Sequence, residues 1–380
     1  QPEKARVAFK ALVDADPKDA HALFYLAESM GDLEQFEEAD KIYRRLLEQT
    51  PDDPEILASY GLSQASQGKL DDAASTFKVL LGLRDLPENL SVLAKTQIAR
   101  IHLQKGEYEA AVDSAKAVLV FHDMPNIQAV SIAVTASKKE KNDKQALQLL
   151  QPLVDKYAND PFVNASYIEV LTRLGEKEKA RVAAATQAKF GTRNTVAAAE
   201  AMIQAENYTD SVALLKEALA AKPDDVDLQF ELGSAMDRSG RKQESEKVFL
   251  GIIQKHPDHA GTLNYLGYMW AENGENLDRA AELVSKAISQ EPRNGAYIDS
   301  LGWIYFRQGK LDLAEKFLTD ATRLLPRDAT VLEHLGDVLA KRGDIPKALN
   351  LYRTALKFEP EAKDEEKLRS KIADLEKRPR

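Results

Sequence analysis

One signal governs what this 380-residue chain can fold into: a small residue returns at a nearly constant interval from one end to the other. The positions are Ala5, Ala39, Ala73, Ala111, Ala146, Ala180, Ser211, Ser245, Ala280, Ala314 and Ala348, separated by 34, 34, 38, 35, 34, 31, 34, 35, 34 and 34 residues. Eleven members in phase require a unit copied along the chain, not one irregular core.

The clearest copy runs from Asn294 to Pro326. Ile298, Leu301, Gly302 and Tyr305 fall at i, i+3, i+4 and i+7, one face of a first helix. Gly309 and its polar neighbours break that pattern. Leu311, Ala314, Leu318 and Ala321 restore it in a second helix, which Pro326 stops. Gly302 and Ala314 sit where the two helices cross, so the backbones can approach closely. A hairpin of this size has too little core to fold alone and must stack on neighbours like itself. A second column keeps phase with the first: Ala27, Gly61, Ala99, Val134, Ile168, Ala199, Gly233, Gly267, Gly302 and Gly336. Pro17, Pro51, Pro223, Pro257, Pro292, Pro326 and Pro360 mark the boundaries.

The order small residue, aromatic or apolar residue, turn glycine, alanine, large residue, proline resembles the tetratricopeptide repeat. The resemblance covers essentially the whole chain and is weakest between Pro87 and Pro223, where Val134 and Ile168 stand in the small-residue column and a wider or differently angled packing is expected. It implies an all-α fold, an α-solenoid of stacked helix-turn-helix units forming a right-handed superhelix. First helices would line a concave groove and second helices the outer face. The expected division is a half repeat at 1–17, units one to five at 18–191, units six to ten at 192–360, and a capping helix with tail at 361–380. The stretch Lys189 to Asn194, which replaces a proline boundary, is the hinge candidate. Asp52 or Asp53 is expected to cap the helix that Pro54 opens.

Composition narrows the function. The formal charge of −9 argues against a general nucleic-acid binder, and the one basic cluster, Lys138, Lys139, Lys141 and Lys144, is interrupted by Glu140 and Asp143. Acidic balance favours basic or neutral partners. There is no cysteine and no apolar run of about 18 residues, so thiolate chemistry and a membrane-spanning helix are excluded from this stretch. The chain starts on what reads as the second helix of a repeat. The expectation is therefore that the natural protein extends upstream and that any targeting signal or lipid-bearing cysteine lies there. His256 and His259 flank Pro257 in a boundary turn and lack further ligands for zinc. No phosphate loop, nucleophile elbow or metalloprotease helix occurs, so no enzyme, cofactor or metal is expected.

A binding surface can be placed from the resemblance. The residue after the close-packing position should face the groove: Glu28, Leu62, Arg100, Thr135, Glu169, Glu200, Ser234, Tyr268, Trp303 and Asp337. One turn earlier, the later members are Phe230, Asn264, Asp299 and Glu333. Tyr268 and Trp303, joined by Phe230 and Phe306 and set among Asp237, Asn264, Asp299, Arg307, Glu333 and Asp337, would suit an extended peptide with apolar and basic side chains. The same aromatics also fit an inter-repeat core, and both readings stand at this point. The two-carboxylate clamp of chaperone-binding members is absent, because its slots hold Phe24, Glu28, Ala58 and Leu62, or Asn264, Tyr268, Asp299 and Trp303.

The C-terminal repeats are similar to those of bacterial tetratricopeptide proteins, many of them envelope lipoproteins that act as scaffolds or protease adaptors. That resemblance implies a scaffold or adaptor that binds a protein or extended peptide, with a periplasmic or outer-membrane-anchored location favoured over the cytoplasm. Two alternatives are the regulatory repeat region of a larger enzyme and a self-assembling scaffold that forms homo-oligomers.

Overall fold

Two columns of small residues can face each other across a hairpin only where two helix backbones nearly touch, and they do so in the computed structural model of the chain. It describes residues 2–33, 35–358 and 362–377. Pro360, the last boundary proline, lies outside the described residues. The chain divides into two compact units, residues 1–214 and 215–380.

The first unit holds α1 (Pro2–Ala15), α2 (Ala20–Asp32), α3 (Phe36–Gln49), α4 (Pro54–Ser66), α5 (Leu70–Leu81), α6 (Glu88–Gln104), α7 (Tyr108–Lys116), β1 (Val120–Phe121), β2 (Met124–Pro125), α8 (Ile127–Lys139), α9 (Asp143–Lys156), α10 (Pro161–Arg173), α11 (Lys177–Ala188), α12 (Thr192–Gln204) and the start of α13 (Tyr208–Ala221). The second holds the rest of α13, then α14 (Val226–Arg238), α15 (Lys242–Lys255), α16 (Ala260–Asn273), α17 (Leu277–Gln290), α18 (Gly295–Arg307), α19 (Leu311–Leu324), α20 (Ala329–Arg342), α21 (Ile345–Leu356) and α22 (Ala362–Glu376). The fold is all-α, and within each unit successive helices pair as hairpins and stack in chain order.

Serines in the second-helix column report the crossing directly. Ser211 Oγ donates to the carbonyl of Ala199 at 3.1 Å in the first unit, and Ser245 Oγ to that of Gly233 at 2.8 Å in the second. The glycines of the facing column answer a steric demand from the large residue one turn further along the second helix. A Cβ on Gly302 would lie 2.6 Å from Leu318 Cγ, and one on Gly336 would lie 2.4 Å from a Tyr352 ring carbon. These large partners are fully buried or nearly so and, with the alanines, form the core.

Turns and caps set the helix phases. Where most hairpins turn on a glycine in the left-handed region, as at Gly240 and Gly309, the weakly patterned repeats place Lys141 and Glu206 there, with φ of 58° and 59°. Of the two aspartates before Pro54, Asp53 is the cap, its Oδ1 accepting from the backbone N–H groups of Glu55 and Ile56.

Three features of the first unit depart from a plain repeat. The four extra residues before the third hairpin lengthen its first helix, α6, to 17 residues as well as the connection. Helix α7 stops after nine residues and gives way to a two-stranded antiparallel ribbon, Val120 opposite Pro125 and Phe121 opposite Met124. The periodicity does not indicate this ribbon. It closes through His122 and Asp123, whose φ values of 46° and 59° are those of a tight two-residue hairpin turn. At the short 31-residue interval, α11 and α12 are joined by three residues. In place of a boundary proline there is a buried amide network: Asn194 Nδ2 donates to Gln187 Oε1 (2.8 Å) and to the Asn159 carbonyl (3.0 Å), and Gln187 Nε2 donates to the Ala158 carbonyl (2.9 Å).

Candidate protein-binding surface

The first helices of the second unit are phased by side-chain caps. His259 Nδ1 accepts from the N–H of Thr262 at the start of α16, Asn294 Oδ1 from those of Ala296 and Tyr297 at α18, and Asp328 Oδ1 from those of Thr330 and Val331 at α20. His259 is thus a capping residue. With the phases set, the pairs Asn264 and Tyr268, Asp299 and Trp303, and Glu333 and Asp337 each sit four residues apart, one above the other on a helix face.

The centre of this face is Trp303, which is 9% exposed. Its indole Nε1 donates to Glu272 Oε1 at 2.5 Å, and its ring is stacked between Phe306, at 5.0 Å, and the His334 imidazole, at 4.2 Å. His334 Nδ1 lies 3.0 Å from both carboxylate oxygens of Asp299. Burial alone would push the imidazole down, but the Asp299 charge and hydrogen bond, with Asp337 and Glu333 behind, hold it above its ordinary value. A protonated imidazole against an indole face also gains cation–π attraction. Tyr268, half-buried, lies 6.3 Å from His334. Burial and the carboxylates of Glu272, Asp299 and Glu333 push its phenol well up.

The two acids of α20 are neutralised from within the chain. Lys371 Nζ donates to Glu333 Oε1 and to both oxygens of Asp337, each at 2.6 Å, and lies 5.6 Å from the Tyr352 ring centre. Lys367 Nζ reaches Glu333 Oε1 at 2.9 Å, and the Tyr352 hydroxyl donates to Asp337 at 2.6 Å. Burial would raise the Glu333 carboxyl, but the two lysines take it below its ordinary value.

The remaining candidates sit at the edges. Phe230 does not join Trp303. It packs on Phe249, His259 and Tyr265 at 5.7, 6.0 and 5.7 Å. Arg307 Nη1 donates to the Glu272 carbonyl at 3.0 Å, closing the C-terminal end of α16. Asn264 Oδ1 is shielded from solvent and has no hydrogen-bond partner. Asp237 accepts from the Tyr265 hydroxyl at 3.2 Å, and burial holds its carboxyl above the usual range and pushes the phenol up to about 12. Reading the columns as single positions missed His334, Glu272, Lys367 and Lys371. The lysines were within reach, because the register of Glu333 and Asp337 carried forward by 34 residues lands on both.

In the first unit the facing positions are mostly engaged locally. Glu28 accepts from the Tyr43 hydroxyl, Glu169 from Arg173, which also holds Asp143, and Arg100 donates to Gln128. Among the described residues no cluster of three metal-ligating side chains occurs, and no helix is long and apolar enough to cross a membrane.

Comparison with known proteins agrees with this geometry. Three family profiles, each described as tetratricopeptide repeat, match residues 1–61 and 202–266, 300–364, and 54–85. The chain is similar to the TPR repeat-containing protein PA4667 of Pseudomonas aeruginosa, 34% identical over 139 residues, covering 37% of this chain and 23% of that protein. It is also similar to the human protein O-mannosyl-transferase TMTC1, 25% identical over 178 residues, covering 45% of this chain and 20% of that protein. The chain therefore spans about a fifth of the length of these relatives. Among solved structures, yeast Tom70 aligns over 99% of this chain and 92% of its own at 14% identity and a TM-score of 0.39. With stacked hairpins, glycines set by the large residues they face, and these profile matches, the chain belongs to the tetratricopeptide repeat proteins.

Proposed function

We propose that the chain is a non-enzymatic scaffold or adaptor that binds a partner polypeptide along the first-helix face of its second unit. What supports this reading is a set of groups on α14 and α16 that the chain itself engages only in part: the half-buried Tyr268 ring, the solvent-shielded Asn264 oxygen that has no donor, and the Asp237 carboxyl hydrogen-bonded by the Tyr265 phenol. Trp303, Phe306, Asp299 and His334 pack together beside Tyr268, and Arg307 fixes the end of α16. A partner segment would bring a cation toward Asp237 and an apolar side chain against Tyr268, since interface energy concentrates in such anchors. Similarity to the Pseudomonas protein supports a bacterial source.

The test is affinity capture from native cell extract with mass-spectrometric identification, using the full chain and a Tyr268→Ala/Asp237→Asn variant. The expected result is a polypeptide retained by the first and lost by the second, with the helicity of the variant unchanged and its unfolding still cooperative. Equal capture by both would remove this face as the binding surface.

A second reading, the repeat region of a larger enzyme, is favoured by the match to the O-mannosyl-transferase. The complete reading frame of the gene separates the two: a catalytic domain fused to these repeats supports the second, and repeats alone support the first.

A further inference from the structure

Helix α22 is more than an end cover. The register that sets Asn264 and Tyr268, Asp299 and Trp303, then Glu333 and Asp337, places Lys367 and Lys371 at the next step, so α22 shows a basic pair where the preceding helices show polar, aromatic or acidic ones. Both ammonium groups reach the acids of α20, and Lys371 is held by two carboxylates at once. Beside them, Leu368 is fully buried and Ile372 and Leu375 pack against the cluster containing Leu335, Leu339 and Tyr352. At its start, Asp364 lies close enough to Tyr268 to weigh on its phenol, and Lys367 close enough to Glu272 to sense its charge.

We propose that α22 is a resident ligand of the acidic first-helix face, and that the partner it stands in for is a helix with cations at i and i+4, each followed by an apolar residue. The pattern is read from the contacts: Lys367-Leu368, Lys371-Ile372 and then Leu375. Two ammonium groups against Glu333, Asp337 and the charge around Glu272 provide the complementarity, and three apolar residues on one edge provide the anchor. Lys367 keeps 56% of its side chain exposed, so its pairing is open to screening by salt. A partner with the same pattern competes with α22 for one site. This rests on the scaffold reading and names the partner's chemistry.

The test uses the full chain and a fluorescein-labelled synthetic peptide of residues 362–377 as probe. Wild type is expected to bind the peptide about ten-fold more weakly than the Lys367→Gln/Lys371→Gln variant, whose own α22 gives up the acids. Lys367→Arg/Lys371→Arg should behave as wild type, and adding Glu333→Gln/Asp337→Asn to the glutamine variant should abolish peptide binding. In wild type, salt should speed hydrogen exchange in α22 and leave α20 unchanged, a readout that needs no variant to fold. Peptide binding no tighter in the glutamine variant than in wild type, or α22 exchange indifferent to salt, would overturn the proposal. No cellular partner enters this test, so a chain that passes it and captures nothing from extract keeps the receptor and loses the scaffold reading.

Discussion

Trp303 is held by three different forces: a hydrogen bond to Glu272, stacking on Phe306, and stacking on an imidazole whose charged form Asp299 favours. Truncation to alanine removes all three and opens a cavity, so Trp303→Ala is expected to cost about 3–5 kcal/mol, read by chemical denaturation. Tyr268→Ala, at a half-buried site, should cost under half as much. The buried ion pair also sets a pH dependence. His334 is raised above its usual 6.5, so its contribution is complete below that value and is lost as pH rises through the raised folded value. Glu333 is lowered from its usual 4.5, so its contribution is present above that value and is lost as pH falls through the depressed one. Thermal unfolding of the second unit should therefore peak between about pH 5 and 6.5, and His334→Gln should flatten the alkaline side alone. The column reading brought out Trp303, Asp299 and Glu333 because they recur in phase. It could not rank them as exposed or buried, since side chains from the next repeat decide that, His334 for Trp303 and Asp299, and Lys367 and Lys371 for Glu333.

At the scale of the element, the small-residue columns made every hairpin legible, because backbone crossing leaves room for nothing larger at positions such as Gly302 and Gly336. What they could not show is how a repeat copes when the pattern fails. The left-handed turn position holds Glu206 where neighbouring hairpins have glycine, and a side chain there is strained. Glu206→Gly is expected to stabilise the chain by about 1 kcal/mol, measured as a shift in denaturation midpoint. Where the proline boundary is missing, the buried Asn194 and Gln187 amides carry the join. Asn194→Ala leaves Gln187 Oε1 and the Asn159 carbonyl short of a donor and should cost about 1–3 kcal/mol. The ribbon after α7 had no periodic signature, since its two-residue strands depend on two positive-φ residues that carry no pattern.

At the scale of the whole molecule, each hairpin leans on its neighbours, so stability is close to a sum of hairpin and interface terms. A substitution on one first-helix face should therefore leave distant repeats intact, which makes the binding surface separable from the fold by mutation. The acidic balance of the chain is partly consumed at α20 by its own lysines, whereas the Asp237 carboxyl on α14 is hydrogen-bonded by the Tyr265 phenol. The most direct measurement is hydrogen–deuterium exchange on the full chain, alone and with the captured polypeptide. Exchange should slow in α14, α16 and α18 on binding, while α15, α17 and α19 keep their rates. Slowing confined to those second helices, or absent from both sets, would contradict a scaffold that grips its partner on the first-helix face.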